Sequence, residues 1–420
     1  MTFGVSTIGA SIMVTGLLYA VSKGVSPVSD PWLLGTQVAG VFGLLALSWT
    51  YILAMRHPFL ERIFGGMDVV YKIHRMFGAT AFILLLHHVV FLILRQLPAN
   101  TLSLYLLPTT TVPYAFGIIG FYILFLLLVL TIYVDLPYRV WKQTHEWMGL
   151  VILFGAVHGL TVESDMSRFL PLKIWLITWS VFALAAFIYK RFIYYHVSAR
   201  TFVIVDTQWE KDYIVLTVKA ADPKASVACM PGQFFFISMD MPGKSHDEHP
   251  FSVMSHDADT VRFGIKVNGD FTLALARMPI GTRVILRGPF GSFGNALHHG
   301  PQMVWIAGGI GITPFVSFLP HVSPGQHVTL IHSVRGEVPS PVHRMIVEIT
   351  RMLPNIRYII HDTQTAGRLT SEKILSYVSL RDLPRVWLCG PQIMMQTLSE
   401  QLHARGILRK RIYFEDFSLR

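Results

Sequence analysis

Six apolar stretches crowd the first 196 residues, near 5–22, 32–54, 75–94, 112–134, 145–162 and 172–190. Crossing the hydrocarbon core takes about 20 residues of helix. Most of the six reach that length, and the fifth and sixth sit at its short end. Lipid offers the backbone no water to bond, so such stretches are confined to helices. Of the 420 residues, 52% are hydrophobic and 14% charged, against roughly 25% charged in an ordinary soluble domain. That excludes disorder and a wholly soluble protein. Only 19 of the 60 charged residues fall in 1–196. The first stretch has no basic segment before it and no small-residue cleavage site before Lys23, so it reads as a retained span.

The net charge of +10 belongs to this membrane reading rather than to nucleic acid. Arg56, Arg62, Lys72, Arg139, Lys142, Lys190 and Arg191 fall on one set of loops. Lys23, Arg168 and Lys173 fall on the other, with Arg95 at its edge. The richer side is cytoplasmic. Six spans then place both termini, and everything after residue 196, in the cytoplasm. Cys229 and Cys389 are too few for a disulfide framework or a cysteine-rich metal site.

The second half reads as soluble. Runs such as 202–205 and 213–218, separated by Pro231-Gly232, Pro242-Gly243 and Gly288-Pro289, predict a small antiparallel barrel to about residue 298. Apolar segments at 303–307, 328–332, 357–361 and 385–389 then alternate with helical stretches, the pattern of a parallel sheet. The expected fold is multi-domain: a six-span all-α membrane bundle (1–196), an antiparallel β-barrel (197–298) and an α/β nucleotide-binding domain (299–420).

Ionisable residues inside a span are costly and usually functional. The third stretch carries His74, His87 and His88, and the fifth His145 and His158. His74 to His88 is 14 residues, about 21 Å of helix with about 40° of residual rotation, so one face holds both. His145 to His158 is 13 residues, and an ideal helix leaves them about 140° apart, which counts against a simple drawing. Both spans run outward, so the first histidines share one depth and the second another. Imidazoles opposed across a bundle suit the axial positions of haem iron, with His74 and His145 as the inner pair and His88 and His158 as the outer. His87 is the rival ligand, since its 13-residue spacing to His74 matches the fifth span. A lone membrane histidine is often only hydrogen-bonded to a neighbouring helix. Zinc is disfavoured because carboxylates and thiolates are lacking.

Three segments of the soluble half carry chemistry. His249-Pro250-Phe251-Ser252 offers an apolar wall and a hydroxyl near a flavin ring, and Lys266, Gly269 and Thr272 downstream suit phosphate contact. Gly308-Gly309-Ile310-Gly311-Ile312-Thr313-Pro314 takes an apolar strand through a glycine turn into a helix, where a dinucleotide can approach the backbone and its pyrophosphate a helix N-terminus. It is not the GxGxxG fingerprint. Cys389-Gly390-Pro391 places a small polarisable residue at a strand end. Each alone is an ordinary turn.

Together these residues resemble the NADPH oxidase and ferric reductase transmembrane family, especially its single-chain bacterial members. The likeness covers nearly the whole chain and extends to the aromatic tail Tyr413-Phe414-Glu415-Asp416-Phe417. It implies FAD, NADPH and two b-type haems, with His74 and His145 on the inner haem and His88 and His158 on the outer. It gives His249 to Ser252 to the flavin, Gly308 to Pro314 and Cys389 to Pro391 to the nicotinamide nucleotide, and Phe417 to shielding the flavin ring. Many relatives in the wider superfamily have Arg where His249 stands. Ser333 and Arg335, after the second strand of the nucleotide domain, suit a 2′-phosphate and favour NADPH over NADH, with Glu337 near. The implied activity is that of an NAD(P)H oxidase in a bacterial inner membrane, with oxygen reduced to superoxide. A ferric or cupric chelate, or a periplasmic electron-accepting partner, is the alternative acceptor. A haem-free membrane anchor for a soluble flavin reductase is a further alternative.

Overall fold

The computed structural model describes residues 2–25, 27–97, 106–108, 111–164, 168–222, 227–239, 248–297, 300–336, 340–378 and 384–415. The chain divides into two compact units, Met1–Val197 and Ser198–Arg420.

The first unit is helical: α1 (Phe3–Val25), α2 (Pro31–Leu53), α3 (Pro58–Phe64), α4 (Met67–Gln96), α5 (Val112–Ile132), α6 (Tyr138–Glu146), α7 (Met148–Thr161) and α8 (Leu170–Ile188). A π turn at Tyr189–Ile193 and the short α9 (Tyr194–Val197) continue α8. Among the described residues, five helices are long and apolar enough to cross a bilayer: α1, α2, α4, α5 and the segment Leu170–Val197. The stretch expected near 145–162 is instead two helices that meet at Trp147, which caps both.

Asp30 starts α2 by accepting the amides of Trp32 and Leu33 at 2.9 and 3.2 Å, and Pro31 opens the first turn. Proline costs nothing there, because its missing N–H would have had no helical partner. The other oxygen of Asp30 takes Arg95 Nε at 2.7 Å, tying the end of α4 to the start of α2. Side-chain hydroxyls hold α1 in place. Trp49 Nε1 donates to Ser11 Oγ at 2.9 Å, and Trp175 Nε1 donates to Thr15 Oγ1 at 2.8 Å. In an apolar medium such interhelical bonds and close packing replace the hydrophobic drive.

The second unit opens with strands β1 (Arg200–Glu210), β2 (Tyr213–Ala220), β3 (Phe234–Met239), β4 (His249–His256), β5 (Thr260–Lys266) and β6 (Arg283–Phe290), with α10 (Asp270–Ala276) between β5 and β6. They close an antiparallel barrel in the order β1-β2-β5-β4-β3-β6. Phe202, Ile204, Leu216, Phe235, Phe263 and Leu286 fill its interior. One charged group is equally buried. Arg287 on β6, 1% exposed, reaches Glu248 Oε1 at 2.7 Å and donates to Ser238 Oγ at 3.0 Å.

A five-stranded parallel sheet follows, in the order β11-β10-β7-β8-β9: β7 (Gln302–Gly308), β8 (His327–Val334), β9 (Ile356–Asp362), β10 (Arg385–Cys389) and β11 (Ile412–Glu415). Its helices are α11 (Thr313–Phe318), α12 (Pro341–Arg351), α13 (Ser371–Tyr377) and α14 (Gln392–Ala404). Four of the strands are those expected, and β11 is a fifth, built from the start of the aromatic tail. Trp305, Phe315, Phe318 and Trp387 pack in the core beneath β7. Trp387 Nε1 donates to the Phe293 carbonyl at 3.1 Å, and the Gly232 amide to Ser317 Oγ at 2.8 Å, so barrel and sheet are joined by both apolar and polar contact.

Candidate cofactor sites

The membrane unit brings four histidines together in two pairs. His74 and His145 have ring centres 6.4 Å apart, and His88 and His158 have centres 6.1 Å apart. His74 and His88 lie on the unbroken α4. Their Nδ1 atoms lie 2.9 Å from the carbonyls of Thr50 and Thr36, residues that are also 14 apart, on the antiparallel α2. The Thr50 carbonyl is available because the helix ends there: the Ala54 amide bonds to Ile52 and Tyr51 instead. His158 Nδ1 lies 2.8 Å from the Pro113 carbonyl on α5. A carbonyl only accepts, so in all three rings Nδ1 carries the proton and Nε2 keeps its lone pair. His145 differs. Its buried Nδ1 has no hydrogen-bond partner in the structure, and its ring stacks on Trp141 at 5.2 Å.

Two glycines make the outer pair possible. A methyl group on Gly40 would sit 2.9 Å from His88 Nδ1, and one on Gly117 would sit 2.6 Å from His158 Nδ1. Each glycine lies four residues after the carbonyl its histidine bonds, so the missing side chain is the space the imidazole uses.

His145 and His158 lie on either side of the break at Trp147. Its amide bonds to Thr144 and His145 rather than four residues back, a tightened turn that advances each residue further round the axis than an α turn does. His145 and His158 thus sit on separate helical segments and need no common face. His87 is exposed, with Nδ1 2.7 Å from the Ile83 carbonyl of its own helix.

These donors fit paired axial ligation. An imidazole nitrogen binds a metal at about 2 Å, so two rings on opposite sides of one iron have centres about 6 Å apart. The outer pair opens on a cavity of about 440 Å³ between α2, α4, α5 and α7, lined by apolar side chains such as Leu44, Leu85 and Val151 and also by Arg95, Glu163 and Arg168. Among the described residues, no group of three His, Cys, Asp or Glu could hold a metal, which leaves little for zinc.

In the second unit His249, Pro250 and Phe251 are partly exposed on β4, and Ser252 is buried. Phe271, in the first turn of α10, lies against them, with its ring 4.0 Å from His249 and parallel to Phe251 within 15° at 6.2 Å. This aromatic platform was not singled out in the sequence, where Phe271 is only one residue of a turn. Gly269 takes a φ of +99° before α10. The Thr272 hydroxyl accepts the Asn268 amide at 2.8 Å and donates to the Gly269 carbonyl at 3.1 Å. It therefore shapes the turn from inside, and does not offer a free hydroxyl to phosphate. Lys266 is exposed, its ammonium 5.9 Å from the Tyr213 ring centre.

The glycine turn and the Cys389 turn meet at the carboxyl edge of the sheet. The chain winds from β7 to β8 to β9, then returns to place β10 on the other side of β7. Ligands of open α/β sheets bind at such a reversal, and both turns flank it. Their backbones touch. A methyl on Gly311 would lie 2.4 Å from the Cys389 carbonyl, and one on Gly390 (φ +156°) 2.9 Å from Gly308 Cα. Gly309 takes a φ of +55° and leads through Ile310 into α11, where Pro314 occupies the first turn and Thr313 is buried. Pro391 caps α14. Ser333 is buried at the edge beside Gly308, and Arg335 is exposed just beyond.

Cys389 is 1% exposed. Burial, and secondly the charge of Glu415 opposite it on β11, push its thiol well above the ordinary range. It is a neutral wall, not a thiolate nucleophile. Glu415, itself 6% exposed, is a carboxylate at the edge of this site that the sequence reading left without a role. Phe417 lies outside the described residues.

Two family models match the chain: a ferric reductase like transmembrane component over residues 39–156, and an FAD-binding domain over residues 199–292. Similar proteins include a flavohemoprotein of Rhizobium meliloti (strain 1021), 23% identical over 243 residues, which cover 52% of this chain and 60% of that one. The reductase component of propane 2-monooxygenase from Rhodococcus jostii (strain RHA1) is 29% identical over 228 residues, covering 50% and 60%. The chain thus spans about three fifths of the length of these relatives. Among solved structures, flavohemoglobin from Malassezia yamatoensis with bound FAD and heme superposes with a TM-score of 0.54 at 17% identity, covering 93% of this chain and 99% of that one. Identity that low speaks for the fold alone. With an apolar helical unit matching the first model, a closed barrel matching the second and a parallel sheet following it, the chain joins a ferric reductase-like transmembrane component to an FAD-binding domain in one polypeptide.

Proposed function

We propose that the chain carries electrons from cytosolic NADPH, through FAD and two b-type haems, to an acceptor on the outer face of a bacterial inner membrane. The observation that carries this reading is the pair of opposed imidazoles at each of two depths, 6.4 and 6.1 Å between ring centres. When bound, the flavin supplies acceptance of a hydride as an electron pair, and the irons supply one-electron relay. The chain's own residues do the positioning. His74 and His145 would hold the inner iron and His88 and His158 the outer, the two α4 histidines being separated by about 21 Å of helix rise. The carbonyls of Thr50, Thr36 and Pro113 hold three rings in the Nε2-ligating tautomer, as partners of metal-bound histidines commonly do. Phe251 and Phe271 would bound the flavin, and Ser252 follows Phe251 on β4. The turns at 308–314 and 389–391 receive the nicotinamide nucleotide. Six crossings follow if α6 and α7 together make the fifth, and the Lys/Arg bias then puts both termini inside.

Oxygen, giving superoxide, is the acceptor this reading favours, because its reduction needs little more than access to the outer iron, whereas a metal chelate needs a binding place and the described residues hold no cluster of three His, Cys, Asp or Glu for one. The test is a dithionite-reduced spectrum of haem-replete protein, followed by NADPH-driven reduction of oxygen against chelated ferric iron. A bis-histidine haem spectrum with about two superoxide formed per NADPH consumed is expected. Fast iron reduction with little superoxide would reassign the acceptor. Electrons reaching only an added periplasmic protein would make the chain a donor subunit. Absence of any haem spectrum would leave a membrane-anchored flavin reductase.

Nucleotide choice is tested separately. Arg335→Ala is expected to raise the KM for NADPH about tenfold, the scale of one charge-assisted contact, and to leave NADH within twofold. Equal effects on both would remove Arg335 from the 2′-phosphate.

A further inference from the structure

The nucleotide turn is held from behind by a chain of three side chains. His332 on β8 has Nε2 2.9 Å from the Gly309 carbonyl and Nδ1 3.0 Å from Tyr358 Oη on β9. The same hydroxyl is 3.1 Å from Nδ1 of His343, in the first turn of α12. The proton order follows from donor counting. The Gly309 carbonyl only accepts, so His332 Nε2 carries a proton. His332 is 3% exposed, and burial pushes its pKa down to about 4, so the ring is neutral and Nδ1 is bare. Tyr358 must donate to that nitrogen. Its hydroxyl has one proton, so it accepts from His343 Nδ1.

The bond to Gly309 has a consequence on the other side of the peptide. In a trans peptide the C=O and the following N–H point in opposite directions. Fixing the Gly309 carbonyl toward His332 therefore turns the Ile310 N–H away from it. Gly309 sits at φ +55° with open space where a side chain would be, and glycine alone does not choose between the two orientations of that peptide. We propose that His332 is a positioning residue for the nicotinamide nucleotide: it locks the 309–310 peptide so that the Ile310 amide faces the pyrophosphate, while Tyr358 and His343 keep it in the required tautomer. Successive amides in such a turn form an anion-binding concavity. The inference rests on reading the 308–314 turn as the nucleotide site, and His332 acts without touching the ligand.

The full chain in detergent, loaded with FAD, provides the test, with anaerobic flavin reduction followed against NADPH concentration. His332→Phe keeps a ring but makes neither bond. It should raise the half-saturating NADPH concentration about tenfold, the scale of one unsatisfied buried polar group, with FAD content and limiting reduction rate within twofold. His332→Gln can still donate to the carbonyl and should recover most of the loss. Tyr358→Phe should raise it severalfold. An unchanged half-saturation in His332→Phe, or a parallel fall in limiting rate and FAD content in all three variants, would overturn the proposal. If His332→Phe alone fails to fold, Tyr358→Phe decides: an unchanged value there overturns it as well. A wild-type flavin that neither NADPH nor NADH reduces would sink the reading of the site itself, a result separate from any variant.

Discussion

Replacing His88 with alanine is expected to lower the haem content from about two per chain to about one, with the remaining spectrum still that of a bis-imidazole site. His158→Ala should do the same. His74→Ala and His145→Ala should remove the other haem, so any double variant within one pair retains one haem and any across pairs retains none. NADPH-driven reduction of an outer acceptor should be abolished in each, while flavin reduction by NADPH survives, because the flavin and nucleotide sites lie in the second compact unit. His87→Ala is the control: its ring bonds its own helix, and both haems should stay. Gly40→Ala tests the supporting geometry. The added methyl would sit 2.9 Å from His88 Nδ1 and displace the ring from the Thr36 carbonyl, and loss of such a partner typically costs about 10–100-fold in metal-site affinity. Pyridine haemochrome quantification of each purified variant is the measurement. Two haems in His88→Ala, or one haem lost in His87→Ala, would overturn the pairing.

The second large effect is expected in the barrel. Glu248→Ala leaves the Arg287 guanidinium, 1% exposed, without the carboxylate 2.7 Å away. Stranding a buried charge costs about 3–5 kcal/mol, which for a unit of this size lowers the melting temperature by about 6–20 °C. Glu248 directly precedes His249, so FAD should be lost in the same transition. The double variant Glu248→Leu/Arg287→Met should recover most of the stability, since apolar replacement of a whole buried pair is often neutral or better. Flavin-fluorescence melting of the full chain reads both. A single variant that melts within 2 °C of wild type would show the pair to be solvated.

Five of the six expected spans, the barrel-to-sheet order and the α4 histidines were legible because each depends on local information. Hydropathy over 20 residues marks a span whatever lies beside it. His74 and His88 share a face because nothing interrupts α4 between them. The glycine turn and the Cys389 turn were legible as the ends of strands. What was not legible depends on breaks and on neighbours. The division at Trp147 carries no proline, and Gly149 two residues on reads as an ordinary member of an apolar span. Phe271 matters only because α10 folds back over β4. Thr272 looked like a phosphate ligand until the Asn268 amide and the Gly269 carbonyl were seen to use its hydroxyl. Glu248 and Arg287 are 39 residues apart, and nothing in either segment marks them as partners. β11 is too short for its period to be read, and it is recognisable only as the strand laid beside β10.

From its residues alone this chain was bound to be an apolar helical half followed by a soluble barrel and parallel sheet, because burial and backbone satisfaction act segment by segment. Which imidazole meets which, which glycine gives an imidazole room, and which buried side chain bonds the Gly309 carbonyl were decided only in three dimensions. Those are contacts between groups from 23 to 71 residues apart in the chain, and their free energy exists only once the helices and strands that carry them have packed.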